Sequence, residues 1–326
     1  MNFALYAIGN LESASENAFP QSDLPFDVGE QIAIERVEFT EDAFEIGLAQ
    51  YGAKCVEALR NVRYALVVRY EDAESRIDSN TERRRLDAET RVANFAACLR
   101  LIRPTRTEAT LIGGRVRPDG QFEPQSYRMP TLWPDVPTNQ RLFDIRRQDA
   151  ELLRKIGSKF HAGMASENWK YRMAVEFHEA AHVQSRYWKA RFILLMSAVE
   201  AIFTTKKKRG SAIARKRIKF LLGGSRSIYA TGELSEFEDD TELTVQTVLG
   251  DLYDLRISVA HGTKTPDRFF SEGRRGIGGE VCLAAVMVEA ASFIVRASLI
   301  KIVADGLIGN FATDATVDAY FIGENA

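Results

Sequence analysis

Hydrophobic positions follow two different periods along this chain. Up to about residue 130 they come in short runs with strand-like spacing. Phe3 to Leu11, Glu30 to Phe39 and Tyr64 to Tyr70 read as strands. Thr107 to Val116 and Gln121 to Met129 read as a hairpin around the turn sequence Pro118-Asp119-Gly120. Two helices interrupt these runs. One is expected over about 41–62 with Thr40 as its N-cap, the other from Glu82 to Arg103, charged on one side and ended by Pro104. Pro130 to Thr138 carries three prolines and reads as a linker. Beyond it the spacing becomes helical, over about 143–163, 166–205, 211–222, 241–261 and 279–306. In the fourth of these, Val245, Val248, Leu252, Leu255 and Val259 recur at steps of three and four, one stripe for a core. The pattern predicts an α+β N-terminal domain over 1–138, with a sensing or scaffold role, followed by an all-α helical bundle over 139–326, with no internal repeat.

Composition narrows the setting. A chain of 326 residues with 45% hydrophobic residues can fill two cores. A net charge of −2 argues against a generic polyanion binder. The three cysteines, Cys55, Cys98 and Cys282, are far apart and fit small core positions in a reducing, cytoplasmic setting. Met1 to Ser15 has no basic lead-in and no long apolar run, so no signal peptide is expected. Val281 to Ala304 is apolar but interrupted by Glu289, Arg296 and Lys301, which predicts a buried bundle helix and no membrane span.

Positive charge is concentrated in Lys206-Lys207-Lys208-Arg209 and continues in Arg215, Lys216, Arg217 and Lys219. This is either an RNA-backbone patch or a solvated loop with the exposed face of a short helix. The acidic run Glu233 to Glu242 reads as a flexible connection.

The candidate chemistry lies in Tyr253-Asp254-Leu255-Arg256-Ile257-Ser258-Val259-Ala260-His261-Gly262. Arginine is always charged and imidazole titrates near neutrality, so the two together suit a phosphodiester without metal. Gly262 suits a C-cap, with Pro266 shortly after. The bland alternative is a surface arginine and a capping histidine. Upstream, Arg191 to Phe203 is an apolar helix with Glu200 inside it. A carboxylate there needs a partner, and an Arg or Tyr of the bundle is expected to supply it.

Together these segments resemble the Apea-like HEPN domains over roughly residues 145 to 310, through Ala198, Glu200 and Ala201, then Tyr253, Asp254, Arg256, His261 and Gly262. The resemblance implies a helical bundle that acts as a symmetric dimer. It implies a metal-independent endoribonuclease in which Arg256 and His261 line a composite cleft and the products carry a 2′,3′-cyclic phosphate. It also implies a defence setting, antiviral or toxin-type. Tyr253 would orient the imidazole or stack on a base, with Asp254 and Glu200 in support, and Lys206, Lys207, Lys208, Arg209, Arg215 and Lys216 would hold RNA. Active members often carry a polar residue after the arginine, where this chain has Ile257. That departure keeps a second reading open, a catalytically silent module that binds nucleotide, RNA or a partner protein.

Two other motifs are set aside. His178-Glu179-Ala180-Ala181-His182 has the spacing of a zinc hydrolase helix. Glu200 is the obvious third ligand, but an unbroken helix would put it about 27 Å beyond His182. Leu111-Ile112-Gly113-Gly114, Leu222-Gly223-Gly224-Ser225 and the Gly273 to Gly279 cluster lack the lysine or the strand of a phosphate-binding loop and read as turns. No metal and no cofactor are expected.

Overall fold

The structure is a computed structural model that describes residues 1–8, 11, 19–42, 45, 56, 60, 62–71, 79–104, 111–128, 144–184, 187–228, 243–271, 273–276 and 279–322. The helix expected over 41–62 lies mostly outside these residues, as does Cys55. The proline linker 130–138 and the acidic run 233–242 lie wholly outside them. The chain forms two compact units, residues 1–162 and 163–326. The break comes later than the 138/139 boundary expected from the prolines, because the helix Arg147–Gly163 packs with the first unit.

The first unit is an antiparallel sheet with one long helix on it. Strands β1 (Asn2–Ile8), β2 (Phe26–Gly29), β3 (Ile32–Arg36), β4 (Tyr64–Tyr70), β5 (Leu111–Val116) and β6 (Phe122–Arg128) pair in the order β2-β3-β4-β1-β5-β6. Central β1 is buried on both faces, which explains its nearly continuous apolar run. Phe3, Leu5, Ala65, Val67, Ile112 and Phe122 form one core cluster. Helix α1 (Ser79–Ile102) packs against β1 and β4. Helix α2 (Arg147–Gly163) meets α1 closely at Gly157, where an added Cβ would come within 2.5 Å of the Phe95 ring. Asn94 and His161 join the two helices through a 2.9 Å hydrogen bond.

One expectation here needs correction. The strand expected over 30–39 is the second arm of a hairpin. Glu30 and Gln31, at φ 53° and 61°, make the turn between β2 and β3. Two consecutive positive φ values match the twist of the strands, but the residues are not the usual Asn-Gly or Gly. Gly29, at φ 99° just before them, was the turn signal that the strand reading passed over.

The second unit is helical. It contains α3 (Trp169–Glu179), α4 (Trp188–Phe203), α5 (Ser211–Leu222), α6 (Val245–Ala260), α7 (Arg268–Ser271), the hairpin strands β7 (Gly273–Gly276) and β8 (Gly279–Cys282), α8 (Leu283–Ala304) and α9 (Asp314–Tyr320). The hairpin replaces the turns expected around Gly273 to Gly279, and α8 begins at Leu283 instead of 279. Helix α8 packs against α3, α4, α5 and α6. It is long and apolar enough to cross a membrane, yet 83% of its most apolar window is buried inside the unit. Its Glu289 meets Arg191 at 3.1 Å, which compensates a carboxylate on an apolar helix.

The single helix expected over 166–205 is also corrected. After Glu179 it passes into a π-turn at Ala180–Gln184, and α4 starts afresh at Trp188 and packs back on α3. No Gly or Pro marks the break. Tyr171, Ala174, Val175 and His178 on α3 and Phe192, Leu195, Met196 and Val199 on α4 are all buried. Folding back covers both apolar faces, and that gain outweighs the local preference for a continuous helix.

Candidate functional site

A cleft of about 700 Å³ opens in the helical unit, walled by α3, the end of α4, the start of α5 and the middle of α6. Helix α6 is held in register at both ends. Thr244 and Thr247 form a reciprocal capping box. At the other end Gly262 takes φ 63° and the Thr263 N–H donates to Ser258 O at 3.1 Å, a Schellman arrangement. Between them Val245, Val248, Leu252 and Leu255 are buried against the core. The same rotation turns Tyr253 and Arg256 into the cleft.

Arg256 meets Glu200 of α4, with its Nη2 at 2.9 Å and 3.2 Å from the two carboxylate oxygens. Both side chains are 31% exposed, so the pair is a wall of the cleft and not part of the dry core. Tyr253 is 5% exposed, and its hydroxyl is buried with no hydrogen-bond partner among the described residues. Burial pushes the phenol pKa up, with the Glu200 charge adding to it, so the group remains a proton donor at neutral pH.

The basic segment after α4 is tethered from below. The Lys170 ammonium, itself buried, donates to Thr204 O at 2.7 Å and pairs with Asp314 at 2.9 Å. Asp314 also accepts from the Lys206 backbone N–H at 3.0 Å. Burial alone would raise the Asp314 carboxyl, but the Lys170 and Lys206 interactions outweigh it and lower its pKa. Thr205 Oγ1 donates to Asp318 at 3.0 Å and accepts from the Lys208 N–H at 3.0 Å. These bonds present Lys206 and Arg209 at the cleft mouth, beside the N-terminus of α5.

The structure thus gathers Glu200, Lys206, Arg209, Tyr253 and Arg256 around one cleft. It does not bring the other expected residues there. His261 is the C-cap residue of α6, with its N–H bonded to Ile257 O at 3.1 Å and its side chain exposed. Five residues of helix place it about 140° around the axis from Arg256, and it does not line the cleft. Asp254 points elsewhere and pairs with Arg268 at 2.8 Å. Lys207, Lys208, Arg215 and Lys216 lie outside the lining. Arg217, counted above in the basic run, is buried and bonded to Asp318 at 2.6 Å and to Phe203 O at 3.1 Å. It is a structural residue, not part of a surface patch.

Sequence reasoning missed Trp169, Lys170, Met173, Phe177 and Asp314, all of which line the cleft. Only the spacing of Trp169, Met173 and Phe177, four apart on one helix face, offered a signal.

The pair formed by His178 on α3 and His182 in the π-turn is placed differently from the sequence argument. The fold-back at the π-turn removes the straight-helix separation between His182 and Glu200. However, His178 is buried and its ring stacks on that of His182, with centroids 6.1 Å apart and planes 21° from parallel. Among the described residues no group of three His, Cys, Asp or Glu could hold a metal.

No family model, curated protein or solved structure matches the chain. Its chemistry therefore rests on this geometry.

Proposed function

We propose that the chain is a metal-independent, HEPN-type endoribonuclease that works as a homodimer. The observation that carries the reading is Arg256, held on the wall of an open, cation-rimmed cleft by the Glu200 carboxylate. Exposed His261 at the end of the same helix supports it, since neither residue lies in dry core. Because His261 does not line the cleft of its own chain, the reaction falls to a twofold dimer in which the two motifs face one phosphodiester and each copy contributes one imidazole.

In the reaction the ribose 2′-oxygen bonds to phosphorus and the P–O5′ bond breaks. One histidine takes the 2′-OH proton and the other gives a proton to the leaving 5′-oxygen. Arg256 stabilises charge on the phosphoryl oxygens. The products are a 2′,3′-cyclic phosphate and a free 5′-hydroxyl.

Labelled RNA incubated with the full chain in excess chelator tests this. Cleavage is expected, and Arg256→Ala or His261→Ala should slow it by about 100-fold or more. Cleavage that survives both substitutions refutes the assignment. A second reading, a silent module that binds RNA or nucleotide, is favoured by Ile257, which is 50% exposed directly beside Arg256. Binding without cleavage in the same assay selects it.

A further inference from the structure

We propose that the cleft binds a phosphomonoester attached to a flat base, either a nucleoside monophosphate or the phosphorylated end of an RNA strand. The phosphate would sit at the N-terminus of α5 and the base on the wall formed by α3. The inference gives the nucleotide-binding reading its ligand chemistry and rests on that reading; it does not depend on strand cleavage, because neither His261 nor a second copy enters it.

Four observations converge. First, α5 begins at the cleft with no side-chain cap and no acidic residue in its first turn. Its first intrahelical bond runs from the Ala214 N–H to Gly210 O at 3.2 Å. The N–H groups of Ser211, Ala212 and Ile213 therefore have no partner within the helix, which is the arrangement that receives phosphate oxygens. Gly210, at φ 107°, makes the approach, and an added Cβ there would meet nothing within 4 Å, leaving the helix end open. Second, Tyr253 is a lining residue of the cleft, and its hydroxyl is buried and unpartnered among the described residues. A buried donor left unsatisfied is costly, and an acceptor oxygen from a ligand would relieve that cost.

Third, the charges suit a dianion. Arg256 faces Glu200 and Lys170 faces Asp314 across the lining, while Lys206 and Arg209 add positive charge beside the α5 terminus. A phosphomonoester carries close to two negative charges near neutral pH, whereas an internal phosphodiester carries one. Fourth, Trp169, Met173 and Phe177 share one wall of the cleft, with Trp169 38% exposed. Such a surface stacks a base of any identity. The volume of about 700 Å³ fits a ligand of nucleotide size.

Calorimetric titration of the full chain decides the matter, using a nucleoside monophosphate, the parent nucleoside, a dinucleoside monophosphate whose only phosphate is a diester, and a short RNA with or without a 5′-phosphate. Monophosphate binding is expected, with nucleoside and diester at least about tenfold weaker. Comparison of the free nucleotide with the 5′-phosphorylated RNA identifies which source of the monoester is preferred. Tyr253→Phe should weaken the monophosphate about tenfold while leaving the ligand-free melting temperature unchanged or raised, since no bond is lost. Trp169→Ala should weaken the monophosphate but not inorganic phosphate. His261→Ala should leave binding intact even where cleavage is lost, so failure of the nuclease reading and failure of this one remain distinct. Equal affinity for nucleoside and monophosphate, or wild-type binding by Tyr253→Phe, overturns the proposal.

Discussion

Arg217 on α5 and Arg256 on α6 each meet a carboxylate contributed by another helix of the same unit, yet their surroundings have nothing else in common. Arg217 is 2% exposed and fully engaged. Its guanidinium bonds Asp318 and Phe203 O and lies 4.9 Å above the Phe321 ring. Arg256 is 31% exposed, pairs with Glu200, and stands beside a buried tyrosine hydroxyl with no partner among the described residues. The first arrangement closes a seam, since every group is satisfied and α9 is locked to α5. The second leaves hydrogen-bonding capacity at the wall of a cleft. In a chain with many arginines, this difference in completeness separates a structural cation from a candidate ligand-binding one, where charge alone does not.

The widest gap between the two should show in stability. Arg217→Ala leaves Asp318 uncompensated and removes the seam, at a cost of about 3–5 kcal/mol. Urea unfolding followed by circular dichroism measures it, and a loss comparable to that of Arg256→Ala would erase the distinction. Lys170→Met comes next. It strips the Thr204 carbonyl and Asp314 of a buried partner and should cost about 1–3 kcal/mol. It should also make the Lys206–Arg209 segment more sensitive to limited trypsin digestion. An unchanged digestion pattern would mean that the tether does not order the loop.

Arg256→Gln should cost less than about 1 kcal/mol, because a partly exposed pair is screened by water. The variant should therefore fold normally while losing RNA binding or cleavage. The smallest effect concerns acid. The folded-state pKa of Asp314 is lowered, so the stability it contributes is present above the unfolded value, about 3.9, and is lost as pH falls through the folded one. Asp314→Asn should make the decline in urea midpoint between pH 5 and pH 2 slightly shallower than in the wild type. A steeper decline would contradict the sign.

Much of this comparison was legible beforehand for one element and not for another. Helix α6 could be read through most of its length, because its apolar stripe and its Gly262 stop are local; its start, expected near 241, falls at Val245 behind the Thr244 cap. Glu200 could be flagged as a carboxylate in need of a cation, since burial on an apolar helix demands one, and Arg256 stands opposite it. Arg217 misled for the converse reason. In the sequence it continues a basic run, and only the arrival of Asp318 and Phe321 from 101 and more residues away makes it a core residue. The break between α3 and α4 was equally hidden, because no residue in it is a helix breaker.

By itself the sequence determined which segments are strands and helices in most of the described chain, where α6 stops, and that a sheet-rich part precedes a helical one. These follow from side-chain period and local backbone chemistry, which act over a few residues. Only the tertiary structure decided that the division falls after Ala162, that α3 folds back on α4, and that Trp169, Glu200, the α5 terminus and Tyr253 share one cleft while His261 stands apart from it. Those outcomes depend on which apolar faces cover one another and which buried charges meet, and such pairings join residues with no signal of each other in the linear chain.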